Sequence, residues 1–164
     1  MKEWEDRMKL YGIIEQANTI EHAFDSIIAY RYCDDLNRAL MFTNEILYNK
    51  FFSLSAKKDL LIKMMKNVDP ARFPKGSGKV FENWVNTRNI VAHGSMLHTE
   101  AGYKVRFAGK SYQVENLVEE YWRCHRTISD LIGTYTELFP PWFGIEPDND
   151  MPPVSTNKAE GENK

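Results

Sequence analysis

The chain has 164 residues, 43% of them apolar, which suffices for one domain with a core and is too short for two comfortable ones. A formal charge of −2 excludes the global basic field of a nonspecific nucleic-acid binder. No apolar run approaches the roughly 18 residues of a membrane span, and the two cysteines, Cys33 and Cys124, follow a charged N-terminus where a secretory signal needs an apolar run, so a soluble, cytoplasmic protein with reduced thiols is expected.

Taken in chain order, Trp4, Met8, Tyr11, Ile14, Ala17, Ile20, Phe24, Ile27 and Ile28 recur every three or four positions, which predicts a long amphipathic helix over 4–31. Asp34 and Asp35 can cap a second helix running to about 49, with Leu36, Leu40, Ile46 and Leu47 inward. Ser55 reads as the cap of a third over 56–66, whose buried side is Leu60, Leu61, Met64 and Met65. Prolines and glycines concentrate in 69–78, a loop. A fourth helix is expected over 79–93, ended at Gly94 by the left-handed conformation that glycine tolerates. Residues 103–107 and 111–114 alternate in polarity around Ala108-Gly109-Lys110, a small β-hairpin. A fifth helix over 115–139 carries Leu117, Val118, Tyr121, Trp122, Ile128, Leu131 and Ile132. The expected fold is therefore all-α: an antiparallel bundle of four to five helices with the hairpin inserted before the last long helix. Its domain spans 1–140, and 141–164 form a Pro-rich tail, largely disordered for want of apolar surface, in which Trp142 and Phe143 are the residues that can fold back.

Charge is distributed unevenly. Residues 57–88 hold eight Lys/Arg against three Asp/Glu, a local +5 that leaves about −7 elsewhere. In the fourth helix, Val80, Phe81, Trp84, Val85, Val91 and Ala92 fill one arc of the helical wheel, with Arg88 in its middle. A guanidinium there must meet a carboxylate, a subunit interface or a bound phosphate. Asn89 and His93, four apart, share an edge of that face. Cleavage of RNA by its own 2′-hydroxyl needs a group that takes the hydroxyl proton and donors that stabilise crowded phosphate oxygens, and histidine and arginine suit these two tasks. An arginine tying one helix to the next, and a terminal histidine favouring the helix dipole, are the structural alternatives.

The string from Thr87 through Arg88, Asn89 and His93 to Gly94 resembles the R-polar-x-x-x-H signature of HEPN domains, and Phe52-Ser53-Leu54-Ser55-Ala56-Lys57-Lys58 resembles the helix opening that precedes it. The resemblance implies a helical bundle that pairs as a homodimer, and a metal-independent endoribonuclease without cofactor, of the kind found in toxin–antitoxin and phage-defence systems. In that reading Arg88 and His93 are catalytic, Asn89 supports them, Lys57, Lys58, Lys75 and Lys79 guide the RNA backbone, and a cognate antitoxin or regulatory protein is a further partner. Ser95 stands where toxins modified by a partner nucleotidyltransferase carry tyrosine. The same features also resemble the mannitol operon repressor family, which implies the alternative: a non-catalytic regulatory or binding module of the same fold.

Elsewhere, Glu21, His22 and Asp25 share one region of the first helix and are read as a solvated edge able to supply a further acid or base. His98 is read as a surface loop residue. The histidines and cysteines show no zinc spacing, and no metal site is expected.

Overall fold

In the computed structural model, which describes residues 2–49, 51–100 and 102–136, five α-helices and one three-stranded antiparallel sheet account for most of the chain. The expected tail, with Trp142 and Phe143, lies outside the described residues. No helix among the described residues is long and apolar enough to cross a membrane.

Helix α1 (Lys2–Tyr32) buries Asp6, Ile13, Ala17, Ile20, Phe24, Ile27 and Ile28 along one line. Its first turns are the reverse of the expected pattern: Trp4, Met8 and Tyr11 are exposed, while Asp6 is 1% exposed. Residues two apart in a helix project about 200° apart, so once Ile13 and Ala17 face the core, Tyr11 must face water. Tyr103 of the sheet donates to Glu3 Oε2 at 3.1 Å, which ties this end of α1 to the strands.

Helix α2 (Leu36–Phe42) starts as expected, with Asp35 Oδ1 accepting from the Arg38 amide at 2.9 Å. It does not run on to 49. Thr43–Leu47 form a widened π turn, closed by the Tyr48 amide donating to the Thr43 carbonyl at 2.9 Å. The Thr43 hydroxyl donates to the Ala39 carbonyl at 2.9 Å, which competes with the regular ladder at the point where it widens. Helix α3 (Leu54–Val68) begins two residues before the expected start because Ser53, not Ser55, is its cap, accepting from the Ala56 amide at 3.3 Å.

Helix α4 (Ser77–His93) ends at Gly94, but not for the expected reason. Gly94 has φ −80° and ψ 158°, an extended conformation open to any residue. What excludes a side chain is space: a Cβ there would collide with Val105 Cγ1 and with the Ile90 carbonyl oxygen, to which the Gly94 amide donates at 2.9 Å. The chain leaves α4 straight into β1 (Ser95–Thr99), which pairs with β2 (Gly102–Phe107), which pairs with β3 (Lys110–Gln113). The expected hairpin is thus two strands of a three-stranded sheet, and His98 lies in a strand, exposed, rather than in a loop. Ala108 and Gly109, with φ of 48° and 78°, make the tight β2–β3 connection; both central residues of such a turn need positive φ.

Helix α5 (Val114–Thr136) follows β3 directly. Trp84 sits between Phe24 (ring centroids 5.6 Å apart) and Tyr121 (6.3 Å), and Phe81 meets Phe24 at 5.8 Å, so α1, α4 and α5 share one aromatic core. Cys124 is buried in it, and burial pushes its thiol up to about 11, which leaves it an inert core residue. A second cluster of Val105, Val114 and Leu117 fastens the sheet to the end of α4 through Ile90 and Val91. Ala92, placed in the inward arc by the wheel, is exposed, because the helix ends one turn beyond the part that packs.

Gly94→Ala is therefore expected to destabilise the protein by about 1–3 kcal/mol through overpacking against Val105, read as a lower urea midpoint with unchanged slope.

Candidate functional site

Phe24 packs on Phe81 and Trp84, and one turn further along α4 the side chain of Arg88 opens into a cleft of about 480 Å³. Helix α1 supplies Asn18, Glu21, His22 and Asp25 to this cleft, the π turn and the residues after it supply Leu47, Tyr48 and Asn49, and the start of α3 supplies Phe52, Ser53, Leu54 and Lys57.

The floor is ionic. Lys57 is 3% exposed, and its Nζ lies 2.9 Å from Glu21 Oε1 and 2.9 Å from both oxygens of Asp25. Burial pushes the Asp25 carboxyl above the ordinary carboxylate value, and the hydrogen bond from Lys57 only partly opposes it. For Lys57 burial acts downward, but the hydrogen bonds to Asp25 and Glu21 outweigh it and hold the ammonium above its ordinary value. Two carboxyl groups thus share one cation. Tyr48 packs with its ring centroid 5.7 Å from Lys57 Nζ, and its hydroxyl lies 3.1 Å from His22 Nδ1.

This arrangement corrects two expectations. Glu21, His22 and Asp25 are not a solvated edge: Asp25 is 1% exposed and Glu21 half-buried, and only His22 of the three is exposed. Lys57, expected to guide an RNA backbone from the surface, is buried with its ammonium committed to two carboxylates. The signal was present in the sequence. Asp25 lies between the inward Phe24 and Ile28, and Lys57 lies four residues before the inward Leu61, so each charge falls in its own helix's apolar arc. A buried acid and a buried base on facing helices call for each other.

Arg88 lies on the inner face of α4, half-buried as the wheel placed it. Its Nη1 donates to Asn89 Oδ1 at 3.3 Å, so Arg88 and Asn89 are brought together. Its Nε is buried with no hydrogen-bond partner, and among the described residues no carboxylate lies within ion-pair distance of it. The two nearest in the cleft, Glu21 and Asp25, are taken by Lys57. His93 is not brought into the cleft. It is the last residue of α4, exposed, and it is not among the cleft-lining residues. The remaining lysines stand apart from the cleft as well: Lys58 pairs with Asp59 at 2.8 Å, Lys79 with Glu82 at 2.9 Å, and Lys75 is exposed in the turn before α4. Among the described residues no group of three His, Cys, Asp or Glu side chains is placed to hold a metal ion.

Chemically, the cleft offers a preoriented guanidinium with unused donors, a histidine oriented by a phenol, and aromatic walls at Tyr48 and Phe52 over a rigid ionic floor. That suits an anion carrying an apolar or aromatic portion. Comparison with family models, with characterised proteins and with solved structures finds no match for this chain.

Lys57→Met removes the cation bonded to the buried Asp25 carboxylate, and a loss of about 3–5 kcal/mol is expected in chemical denaturation. The sign with pH follows from Asp25. Without the ammonium, its carboxyl in the folded variant titrates above the unfolded value, so the folded state binds more protons, and the loss should be smaller at about pH 5 than at about pH 8.

Proposed function

We propose that the protein is a metal-independent endoribonuclease of HEPN type, whose helices form an antiparallel bundle and whose Arg88 cleft receives the scissile phosphate. The observation that carries this reading is the guanidinium of Arg88: half-buried, held by Asn89, and, among the described residues, with no partner for its buried Nε and no carboxylate to neutralise it. A structural arginine in such a place is normally paired, whereas an anion receptor keeps its donors free until its ligand arrives. The string around Arg88 and His93 supplies the chemistry at a cleft between two copies: Arg88 stabilises the phosphorane oxygens, Asn89 orients Arg88, and His93, which stands outside the single chain's cleft, takes the 2′-hydroxyl proton where the copies meet. No cofactor is called for. Two copies would pair as a homodimer, and the exposed strip of Trp4, Met8 and Tyr11 is apolar surface available for it. The role would be that of a cytoplasmic toxin or phage-defence effector restrained by a cognate antitoxin or regulator.

One observation favours a second reading. His93 stands outside the cleft that Arg88 lines, and binding an anion needs only Arg88. On that reading the fold is a non-catalytic module that recognises a phosphate-bearing partner, in the manner of an operon regulator.

Incubation with total RNA in EDTA separates the two. On the ribonuclease reading, wild-type protein leaves fragments with cyclic phosphate ends, while Arg88→Ala and His93→Ala lower the rate by about 10²–10⁴-fold with an unchanged circular-dichroism spectrum. Intact RNA with the wild type, together with retention of RNA that Arg88→Ala abolishes, would establish the binding module instead.

A further inference from the structure

His22 lines the cleft and is exposed, and among the described residues it stands in no ion pair. It projects from α1 into the space that Arg88 enters from α4. Its Nδ1 lies 3.1 Å from the Tyr48 hydroxyl, and the two rings meet edge to face with centroids 6.0 Å apart. That contact engages Nδ1: in the protonated ring Nδ1–H donates to the phenol oxygen, and Nε2 makes no hydrogen bond among the described residues. The charged groups around it are Glu21 and Asp25 on its own helix, Lys57 on α3 and Arg88 on α4. Glu21 and Asp25 are both engaged by the single ammonium of Lys57, so neither is paired with His22.

Cleavage of a phosphodiester by the neighbouring 2′-hydroxyl takes two proton transfers. As the O2′–P bond forms, the hydroxyl proton must leave, and as the P–O5′ bond breaks, the departing oxygen must receive one. The reading above assigns a single histidine, His93, to the first transfer and none to the second. We infer that His22, held by Tyr48 beside Arg88, is the general acid that protonates the leaving 5′-oxygen. The products are then a 2′,3′-cyclic phosphate and a 5′-hydroxyl, and the step ends with His22 neutral and His93 protonated, which solvent reverses. This inference rests on the ribonuclease reading. It goes beyond that reading by placing a catalytic residue on α1, outside the string that suggested the activity.

The test compares two substrates, an RNA oligonucleotide and a ribonucleoside 3′-(4-nitrophenyl phosphate), whose leaving group departs as an anion and needs no proton. His22→Ala is expected to cut the oligonucleotide about 10²–10⁴-fold more slowly and the nitrophenyl ester at a near wild-type rate, while His93→Ala fails on both. Tyr48→Phe, which keeps the ring and removes the acceptor, should show a smaller loss confined to the oligonucleotide. His22→Ala cleaving the oligonucleotide at the wild-type rate would overturn the inference and leave the ribonuclease reading standing. Equal losses on both substrates would also overturn it, because a residue that merely shapes the cleft acts on both. Wild-type protein inert toward both substrates would overturn the ribonuclease reading itself, and this inference with it.

Discussion

Removing the ammonium of Lys57 from water costs several kcal/mol, and the fold offsets that cost with two carboxylates from another helix. The geometry this imposes is strict. Asp25 and Glu21, one turn apart on α1, must both stand level with the first turns of α3, so the register of the two helices is set by charge as well as by packing. The apolar contacts of α1 are more permissive, since Ile13, Ile20, Phe24 and Ile27 offer similar surface at every turn. An ion cluster tolerates no slip of a turn, because a displaced partner leaves a buried charge alone.

That cluster also determines what is left for function. By occupying the two carboxylates that line the cleft, Lys57 leaves Arg88 without a counter-ion among the described residues, and Arg88 is the side chain on which the functional reading depends. Helix α4 holds it there from both ends. Trp84 and Phe81, one and two turns earlier, lock into the aromatic core with Phe24 and Tyr121. Within the next turn, Ile90 and Val91 pack on the sheet, whose Val105 sits so close to Gly94 that no side chain fits there. The position of the guanidinium therefore follows from packing on either side of it.

The electrostatics of the rest of the chain are local. The basic stretch over 57–88 looks like a steering surface when charges are counted, yet Lys57 is internal, and Lys58, Arg72 and Lys79 each stand against an acid within three residues, at 2.8, 3.1 and 2.9 Å. Exposed pairs of this kind contribute little stability, but they do blunt the field. Long-range attraction of a polyanion by this stretch is then weak, and the proposed function rests on the donors of the cleft rather than on exposed lysines.

What the sequence determined by itself is the local structure: four of the five helices at close to their final bounds and the start of the other, the cap at Asp35, a hairpin around Ala108-Gly109, and Arg88 on the inner face of α4. Each of these depends on a repeat of 3.6 or 2 residues, or on a side chain bonding to backbone a few positions away. Tertiary structure decided the rest. The inverted first turns of α1 follow from where the sheet docks, and β1 becomes a strand only because β2 folds back beside it, since Ser95–Thr99 has no regular alternation of its own. The pairing of Lys57 with Glu21 and Asp25 joins residues 36 and 32 positions apart. The cleft likewise draws His22, Tyr48 and Arg88 from three separate elements while leaving His93 outside it. A periodicity marks which residues face inward, but it carries no information about which inward residue of another helix will stand opposite, because that is settled only when the helices pack.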